Sequence, residues 1–180
     1  MVETLTGLLA LALWGRYGPS PFFFVYFYFL CSLIIITLID LEHRIIPDEI
    51  SLSGILVGFV SSFLLPNLTW IDSLIGIVMG GGLLFIISYG YLLITGQEGM
   101  GGGDIKLLAM IGAFLGWQFI PMVILISAAV GSFVGVCFML YQKKDRHMQI
   151  PFGPFLAIGA VVALFYGKDL MRWYMGLYGY

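Results

Sequence analysis

The sequence predicts an all-α, polytopic membrane protein, a bundle of about seven hydrophobic helices. Of its 180 residues, 61% are hydrophobic and 10% are charged, and its mean hydropathy of +1.03 lies far above that of soluble domains. Apolar runs of the length that a bilayer-spanning helix needs follow one another with only short polar interruptions. Because these runs lack the alternation of barrel strands, helices are the only spanning elements that fit them.

Turn residues mark where the helices are expected to end. Glycine and proline in "GRYGPSP" separate the first segment from the second, "LEHRIIP" precedes the third, and "GMGGG" precedes the fifth. No polar linker divides the chain, which predicts a single membrane-embedded domain over residues 1–180. The first and fifth segments are short for a span. The predicted helices cover about 4–14, 22–40, 48–65, 71–95, 104–117, 121–141 and 155–166, and the aromatic tail at 167–180 is predicted to lie at the membrane interface.

The distribution of basic residues predicts the orientation in the membrane. If all seven helices cross, the loops at 41–47, 96–103 and 142–149 share one face. Cytoplasmic faces carry an excess of Lys and Arg, and we expect this face to be cytoplasmic because it is the more basic one. Its basic residues are Arg44, Lys106, Lys143, Lys144 and Arg146, against Arg16, Lys168 and Arg172 on the other face.

Other patterns predict packing and exclude some classes of function. Gly76 and the glycines at 80–82 give the fourth helix a small-residue surface that a neighbouring backbone can approach. Cys31 and Cys137 lie inside apolar runs and are predicted to be packing residues, so neither a disulfide framework nor a metal site is expected. The lipid bilayer is the expected environment, and no basic patch suggests a nucleic-acid partner.

Asp40 and Asp104 differ in context from the other acidic residues. Asp40 ends the apolar segment "CSLIIITLID" and Asp104 begins another after the glycine run, so both carboxylates are predicted at the same edge of the membrane. An Asp after glycines is also a common N-cap or first-turn residue that complements the helix dipole. Asp40 lacks that explanation, because a carboxylate at a helix C-terminus meets an unfavourable dipole and must be hydrated, protonated or paired.

Two carboxylates within hydrogen-bonding reach do not both ionise easily, so one keeps a proton and the other acts as a base. Aspartic proteolysis uses this arrangement: the ionised group draws a proton from a water molecule while the protonated group polarises the scissile carbonyl. The glycines at 101–103 would let an extended substrate or a facing helix approach Asp104. The two acids therefore predict an aspartic protease.

Two other classes of function stay open on the residues alone. A small transporter or channel could bind a proton or cation through intramembrane acids, although both acids are predicted at an edge of the membrane instead of its midplane. A structural or assembly protein would explain the hydrophobicity but not the two acid-containing stretches. His43 is close in sequence to Asp40, where a loop histidine is more often solvated than catalytic, and neither it nor His147 has partners for a serine triad or a zinc site.

These stretches resemble the type IV prepilin peptidase family, membrane aspartic proteases marked by a Gly-x-Gly-Asp motif. "LIDLEHRIIPDEISL" is similar to the family's first catalytic stretch, and "TGQEGMGGGDIKLLAMIGAFLGW" is similar to its second. "IPFGPFLAIGA" at 150–160 resembles a third family stretch, and "VETLTGLLALAL" resembles the segment that follows the family's cytoplasmic loop. The resemblance thus runs nearly end to end.

The resemblance implies roles for individual residues. Asp40 and Asp104 would be the catalytic aspartates. Glu98 and Lys106 flank the motif and match the family pattern, with an alternative interpretation as ordinary interfacial charges. The residues expected to shape the site or contact the substrate are Gly101, Gly103, His43, Glu98 and Lys106.

The resemblance also implies a substrate and a location. The family cleaves the short basic leader from type IV prepilins and type II secretion pseudopilins at the cytoplasmic face of the bacterial inner membrane, so the partners would be the leader peptide and the hydrophobic helix that follows it. Proteolysis would need no metal or cofactor, whereas many members also methylate the new N-terminus with S-adenosylmethionine. Longer members begin with a further helix and a cytoplasmic domain with two Cys-x-x-Cys pairs, which do not precede Val2. We therefore expect a truncated or shorter form, in which the methyltransferase activity is open.

Overall fold

The computed structural model describes residues 2–96, 101–142 and 151–177. Within these ranges the ordered elements are helices, with a 3₁₀ turn at Trp117–Phe119, so the predicted all-α class is confirmed. The seven helices are α1 Val2–Tyr17, α2 Pro21–His43, α3 Asp48–Ser61, α4 Trp70–Thr95, α5 Gly102–Leu115, α6 Ile120–Gln142 and α7 Gly153–Leu177.

Four stretches of the described chain are long and apolar enough to span a bilayer: α2, α4, Trp117–Phe138 and α7. The seven crossings on which the predicted orientation depends are therefore more than the described helices support. α3 and α5 have 14 residues each, which rise about 21 Å and fall short of a hydrocarbon core roughly 30 Å thick. The predicted third helix also extends too far, because α3 ends at Ser61 and the chain turns before Pro66, where proline disfavours helical backbone.

α5 forms the centre of the bundle. All nine residues from Leu107 to Leu115 are buried, and the core cluster joins them to side chains of α2, α3 and α7. Phe114 of α5 stacks on Phe29 of α2 with ring centroids 4.5 Å apart. A helix that is apolar on every side is stable only where neighbouring elements cover it, and here the other helices cover α5.

Glycines bring α4 and α5 into backbone contact, as the small-residue pattern predicts. A Cβ on Gly80 would lie 2.5 Å from a carbonyl oxygen of α5, and a Cβ on Gly76 or Gly112 would overlap the backbone of the other glycine. Gly82 differs, because a Cβ there would meet no atom within 4 Å. The close contact therefore uses part of the glycine run and fixes the position of α5 along α4.

The end of α2 differs from the prediction. The helix continues past Asp40 to His43, and Arg44 then adopts a left-handed conformation with φ of 57°. The Arg44 N–H donates to the Asp40 carbonyl at 2.9 Å, which closes the last turn in the manner of a left-handed C-cap. Asp40 consequently lies within the last turn of α2, not at its final residue.

The end of α7 differs as well. The predicted helix stops at residue 166 before an interfacial tail, whereas α7 continues to Leu177. Gly167 lies within the helix and packs closely on Phe119, since a Cβ there would lie 2.6 Å from the Phe119 Cε1. Arg172 pairs with Asp169 at 2.6 Å along the same helix, a spacing that supports helical structure.

Candidate functional site

Asp40 is buried in the last turn of α2. Only 5% of its surface is exposed, and the backbone N–H of Gly153 donates to its Oδ2 at 3.1 Å. Gly153 is the first residue of α7, so the carboxylate faces the positive end of that helix's dipole. This contact offsets the unfavourable position of Asp40 at the negative end of its own helix.

Asp104 lies at the third position of α5. Gly101 caps the helix with extended backbone, and its carbonyl accepts the Asp104 N–H at 3.2 Å. The sequence is compatible with Asp104 as either the N-cap or a first-turn residue, and in the structure Asp104 is a first-turn residue. Because a glycine cap has no side chain, α5 has no capping box, and no described residue hydrogen-bonds to the Asp104 carboxylate.

Ile46 connects the two backbones that bring the acids together. It lies in the loop between α2 and α3 and is 7% exposed. A Cβ on Gly103 would lie 2.7 Å from the Ile46 Cβ, and a Cβ on Gly153 would lie 3.3 Å from the Ile46 Cδ1. The first turns of α5 and α7 therefore meet on either side of one buried side chain, and the absence of a side chain at Gly103 allows that approach.

The two carboxylates interact electrostatically. Burial, and next the negative charge of Asp40, raise the pKa of Asp104 to about 7. Two interacting acids of this kind share one proton near neutral pH. The site can therefore present one ionised and one protonated carboxyl group at the same time, which is a general base beside a general acid.

The pair lies at one end of the bundle, where α2 ends and where α3, α5 and α7 begin. The start of α3 is tied to α5 there, because Lys106 donates to Asp48 at 2.6 Å. Transporter ion sites lie near the midplane of the bilayer. The placement of both acids at helix ends thus disfavours the transporter alternative.

The structure does not bring every predicted residue to the pair. Lys106 is occupied by Asp48. The side chain of His43 is 65% exposed, and its Nδ1 lies 3.9 Å from the Oε2 of Glu42, the neighbouring residue in the chain. Glu98 lies outside the described residues. Among the residues that are described, no three His, Cys, Asp or Glu side chains are grouped so that they could hold a metal ion.

Gly153 and Ile46 belong to the site although the sequence patterns do not single them out. Gly153 lies in the stretch at 150–160, to which the resemblance gave no role. A glycine directly before a proline at the start of an apolar helix does indicate a helix N-terminus, but the carboxylate that it faces is decided by tertiary packing. Ile46 has no distinguishing signal, because an apolar residue in a short loop is common.

The pair lies in a region that is similar to known proteins. The model of the type IV leader peptidase family matches residues 27–136, which include both aspartates. The prepilin leader peptidase/N-methyltransferase of Aeromonas hydrophila is 37% identical over 175 residues, covering 97% of this chain and 60% of that protein. The proteins of the same name from Pseudomonas putida and Stutzerimonas stutzeri are 34% and 40% identical, covering 100% and 80% of this chain and 62% and 50% of their own lengths. The chain thus spans between half and about three fifths of these relatives, and no solved structure matches it significantly.

Proposed function

The chain belongs to the type IV leader peptidase family, and we propose on that premise that it is an aspartic endopeptidase that removes the leader peptide from type IV prepilins and pseudopilins. The observation that carries the proposal is that Asp40 and Asp104, from two separate helices, lie at one end of the bundle and interact electrostatically. A half-buried acid whose pKa is strongly raised beside a second acid is typical of catalytic sites.

Hydrolysis by this pair needs a water molecule and no covalent intermediate. The ionised carboxylate takes a proton from the water molecule while the water oxygen bonds to the scissile carbonyl carbon. At the same time the protonated carboxyl group gives its proton to the carbonyl oxygen. The first group then passes its new proton to the amide nitrogen, and the C–N bond breaks. The second group recovers a proton from a hydroxyl of the diol, which restores the starting protonation state.

The first turn of α5 leaves room for a substrate beside Asp104. A Cβ on Gly101 would come no closer than 4.0 Å to any described atom, and that atom is the Asp104 Oδ2. A Cβ on Gly102 would meet nothing within 4 Å. Packing among the described residues therefore does not require these two glycines, and we propose that the extended leader backbone occupies this space.

An apolar groove between α1, α2 and α7 supports the second part of the substrate. It has a volume of about 440 Å³ and is lined almost wholly by aliphatic side chains. Leu41 and Pro154 line it and are the chain neighbours of Asp40 and Gly153, so the groove is continuous with the site. We propose that it holds the hydrophobic helix that follows the scissile bond.

Crosslinking tests this placement of the substrate helix. A photoreactive residue at Leu38, which lines the groove, should crosslink to the prepilin. The same group at Ile94 of α4, which is 87% exposed and outside the groove, is the control and should not. Crosslinking at both positions or at neither, in protein that still cleaves, would contradict the groove assignment.

We propose that the end of the bundle that carries Asp40 and Asp104 faces the cytoplasm. Glu49 is exposed at this end, and Asn67 is exposed in the loop at the opposite end. In protein without Cys31 and Cys137, Glu49→Cys should react with a membrane-impermeant maleimide only from the cytoplasmic side, and Asn67→Cys only from the outer side. The reverse pattern would overturn the orientation.

Cleavage of a prepilin in membranes containing the full chain tests the proteolysis. We expect release of the leader by the wild type, and loss of cleavage in Asp40→Asn and in Asp104→Asn without loss of membrane insertion. Full cleavage by either variant would contradict the pairing.

Methylation of the new N-terminus by S-adenosylmethionine is a separate proposal, which rests on the relatives' names. A cleaved product heavier by one methyl group would support it.

A further inference from the structure

We propose that Gly153 is a positioning residue whose backbone N–H holds Asp40 as the ionised base of the pair, which leaves Asp104 as the acid. The inference rests on the proposed proteolysis and assigns its two roles. It depends on the first turn of α7, on the space around Gly153 and on the difference between the two carboxylates.

The first turn of α7 has one N–H group that points at Asp40. The third and fourth residues of the helix both donate to the Phe152 carbonyl, at 3.0 and 3.1 Å. Pro154, the second residue, has no N–H. The N–H of Gly153 is thus the only donor of this turn that the helix does not use, and it bonds to the Asp40 Oδ2 at 3.1 Å.

Glycine is needed at position 153 for this bond. A Cβ there would lie 2.5 Å from the Asp40 Oδ2 and 3.3 Å from its Cγ. Non-bonded atoms do not approach so closely, so any other residue would displace the carboxylate from the N–H or move the start of α7. Glycine lets the backbone itself reach the acid.

The two carboxylates differ in what surrounds them. A hydrogen bond to an ionised carboxylate favours the ionised form, and such a charge-assisted bond is roughly twice as strong as a neutral one. Asp40 receives this bond from Gly153. Both acids lie near the positive end of a helix dipole, Asp40 beside the start of α7 and Asp104 in the first turn of α5, so the hydrogen bond is what distinguishes them. Asp104 receives no hydrogen bond from the described residues, and its pKa of about 7 allows it to keep a proton near neutral pH.

Other charged groups around Asp40 do not provide the same interaction. Asp104 is coupled to it electrostatically, and the nearby cation Lys106 is paired with Asp48. The charged residues of α7 follow position 167 and lie at the far end of that helix. In the part of the chain that the structure describes, the other charged or titratable side chains on the packed elements at this end are exposed. They are Glu3 of α1, Glu42 and His43 of α2, Arg44 after it, Glu49 of α3, and Tyr89 and Tyr91 of α4.

The pH dependence of cleavage tests the assignment. In the wild type, kcat/KM should fall at low pH as Asp40 becomes protonated and at high pH as Asp104 loses its proton. Gly153→Ala should move the acidic limb upward by about one pH unit, since the bond that favours the ionised form is lost, and leave the basic limb in place. At neutral pH the variant should lose kcat more than it changes KM.

Gly159→Ala is the matched control. It also crowds α7, because a Cβ there would lie 2.6 Å from the Ser127 Oγ, but it does so between α6 and α7 and away from Asp40. We expect a uniform loss of rate with both limbs unmoved. If the acidic limb of Gly153→Ala stays in place, or if both glycine variants shift it equally, the positioning role is wrong.

Infrared titration tests the same assignment without a change at Gly153. When the protonated carboxyl band is followed against pH, Asp104→Asn, which keeps Asp40, should lose this band at a lower pH than Asp40→Asn, which keeps Asp104. The opposite pattern would overturn the proposal. If the wild type leaves prepilin intact, the proteolysis proposal fails, and the spectra still decide which aspartate carries the proton.

Discussion

Two aspartates, Asp72 and Asp104, occupy the same helical position at opposite ends of the bundle and have opposite surroundings. Both are the third residue of their helix. The Asp72 Oδ2 accepts the Thr69 hydroxyl at 2.6 Å, and its Oδ1 accepts the Trp117 indole N–H at 3.0 Å. Asp104 follows a glycine cap, which has no side chain to donate such a bond. The residue three positions earlier thus decides whether the acid is used by the helix or remains available for chemistry.

Cleavage should separate the two acids by the largest margin. Asp104→Asn should lower the cleavage rate about 10²–10⁴-fold, the usual contribution of a general acid or base. Asp72→Asn should keep the rate within a factor of about two, because its effect is confined to the far end of the bundle. Initial rates of leader release at equal amounts of inserted protein measure both. Equal losses in the two variants would show that Asp104 acts through stability and not through chemistry.

The glycines near the Asp72 end of α5 should have the next largest effect. Gly112→Ala places a methyl group against the α4 backbone, and such overpacking should lower the free energy of unfolding by about 2–3 kcal/mol. Gly82→Ala is the control, because its Cβ meets open space and Ala is the better helix former by roughly 1 kcal/mol. Apparent melting temperatures in detergent should fall for the first variant and hold or rise for the second. A fall in both would mean that helix flexibility, and not close packing, explains the glycines.

The fold was predictable from the sequence to the extent that it depends on local patterns. Long apolar runs predicted α2, α4 and α6, and the glycine run predicted the packing face of α4. The predicted α7 is too short, because a glycine after an apolar run is compatible both with a helix end and with a close packing contact such as the one between Gly167 and Phe119. Hydropathy also leaves open whether the short α5 crosses the membrane, because it does not distinguish burial in lipid from burial in protein.

Of the residues that form the candidate site, only the two acids could be predicted from the sequence. Asp40 and Asp104 stand out because carboxylates are rare next to apolar helices. The two residues that arrange them do not stand out: Ile46 is an ordinary apolar side chain, and Gly153 contributes a backbone N–H that every residue except proline possesses. What makes that group functional is the direction of α7, which is a property of the tertiary packing.

The capping box of Asp72 should contribute less to the free energy of unfolding than the glycine contact does, and should have no part in catalysis. Asp72→Ala removes the acceptor for the Thr69 and Trp117 donors and should lower the free energy of unfolding by about 1 kcal/mol. Thr69→Ala should have a similar effect, and the double variant should lose less than the sum because the two side chains form one unit. Thermal unfolding of the four proteins in one detergent measures the coupling. Additive losses would show that Trp117, and not the box, provides the stabilisation.

The substitution of Asp104 should have a stability effect of opposite sign, and one that is confined to part of the pH range. Its pKa is about 7 in the folded protein against an ordinary value of 3.8, so the folded state binds more protons than the unfolded state between these values. The free energy of unfolding therefore falls as the pH rises from about 4 to 7 and levels off above. Asp104→Asn removes this loss and should be more stable than the wild type at pH 8, by on the order of 1 kcal/mol because partial exposure weakens the effect. The difference should vanish near pH 4.

Asp72→Asn should show no such gain at any pH, since its acid is hydrogen-bonded in the folded state. If Asp104→Asn were no more stable than the wild type at pH 8, the folded protein would not hold the Asp104 carboxylate at a cost, and the contrast between the two acids would lie in their hydrogen bonds alone.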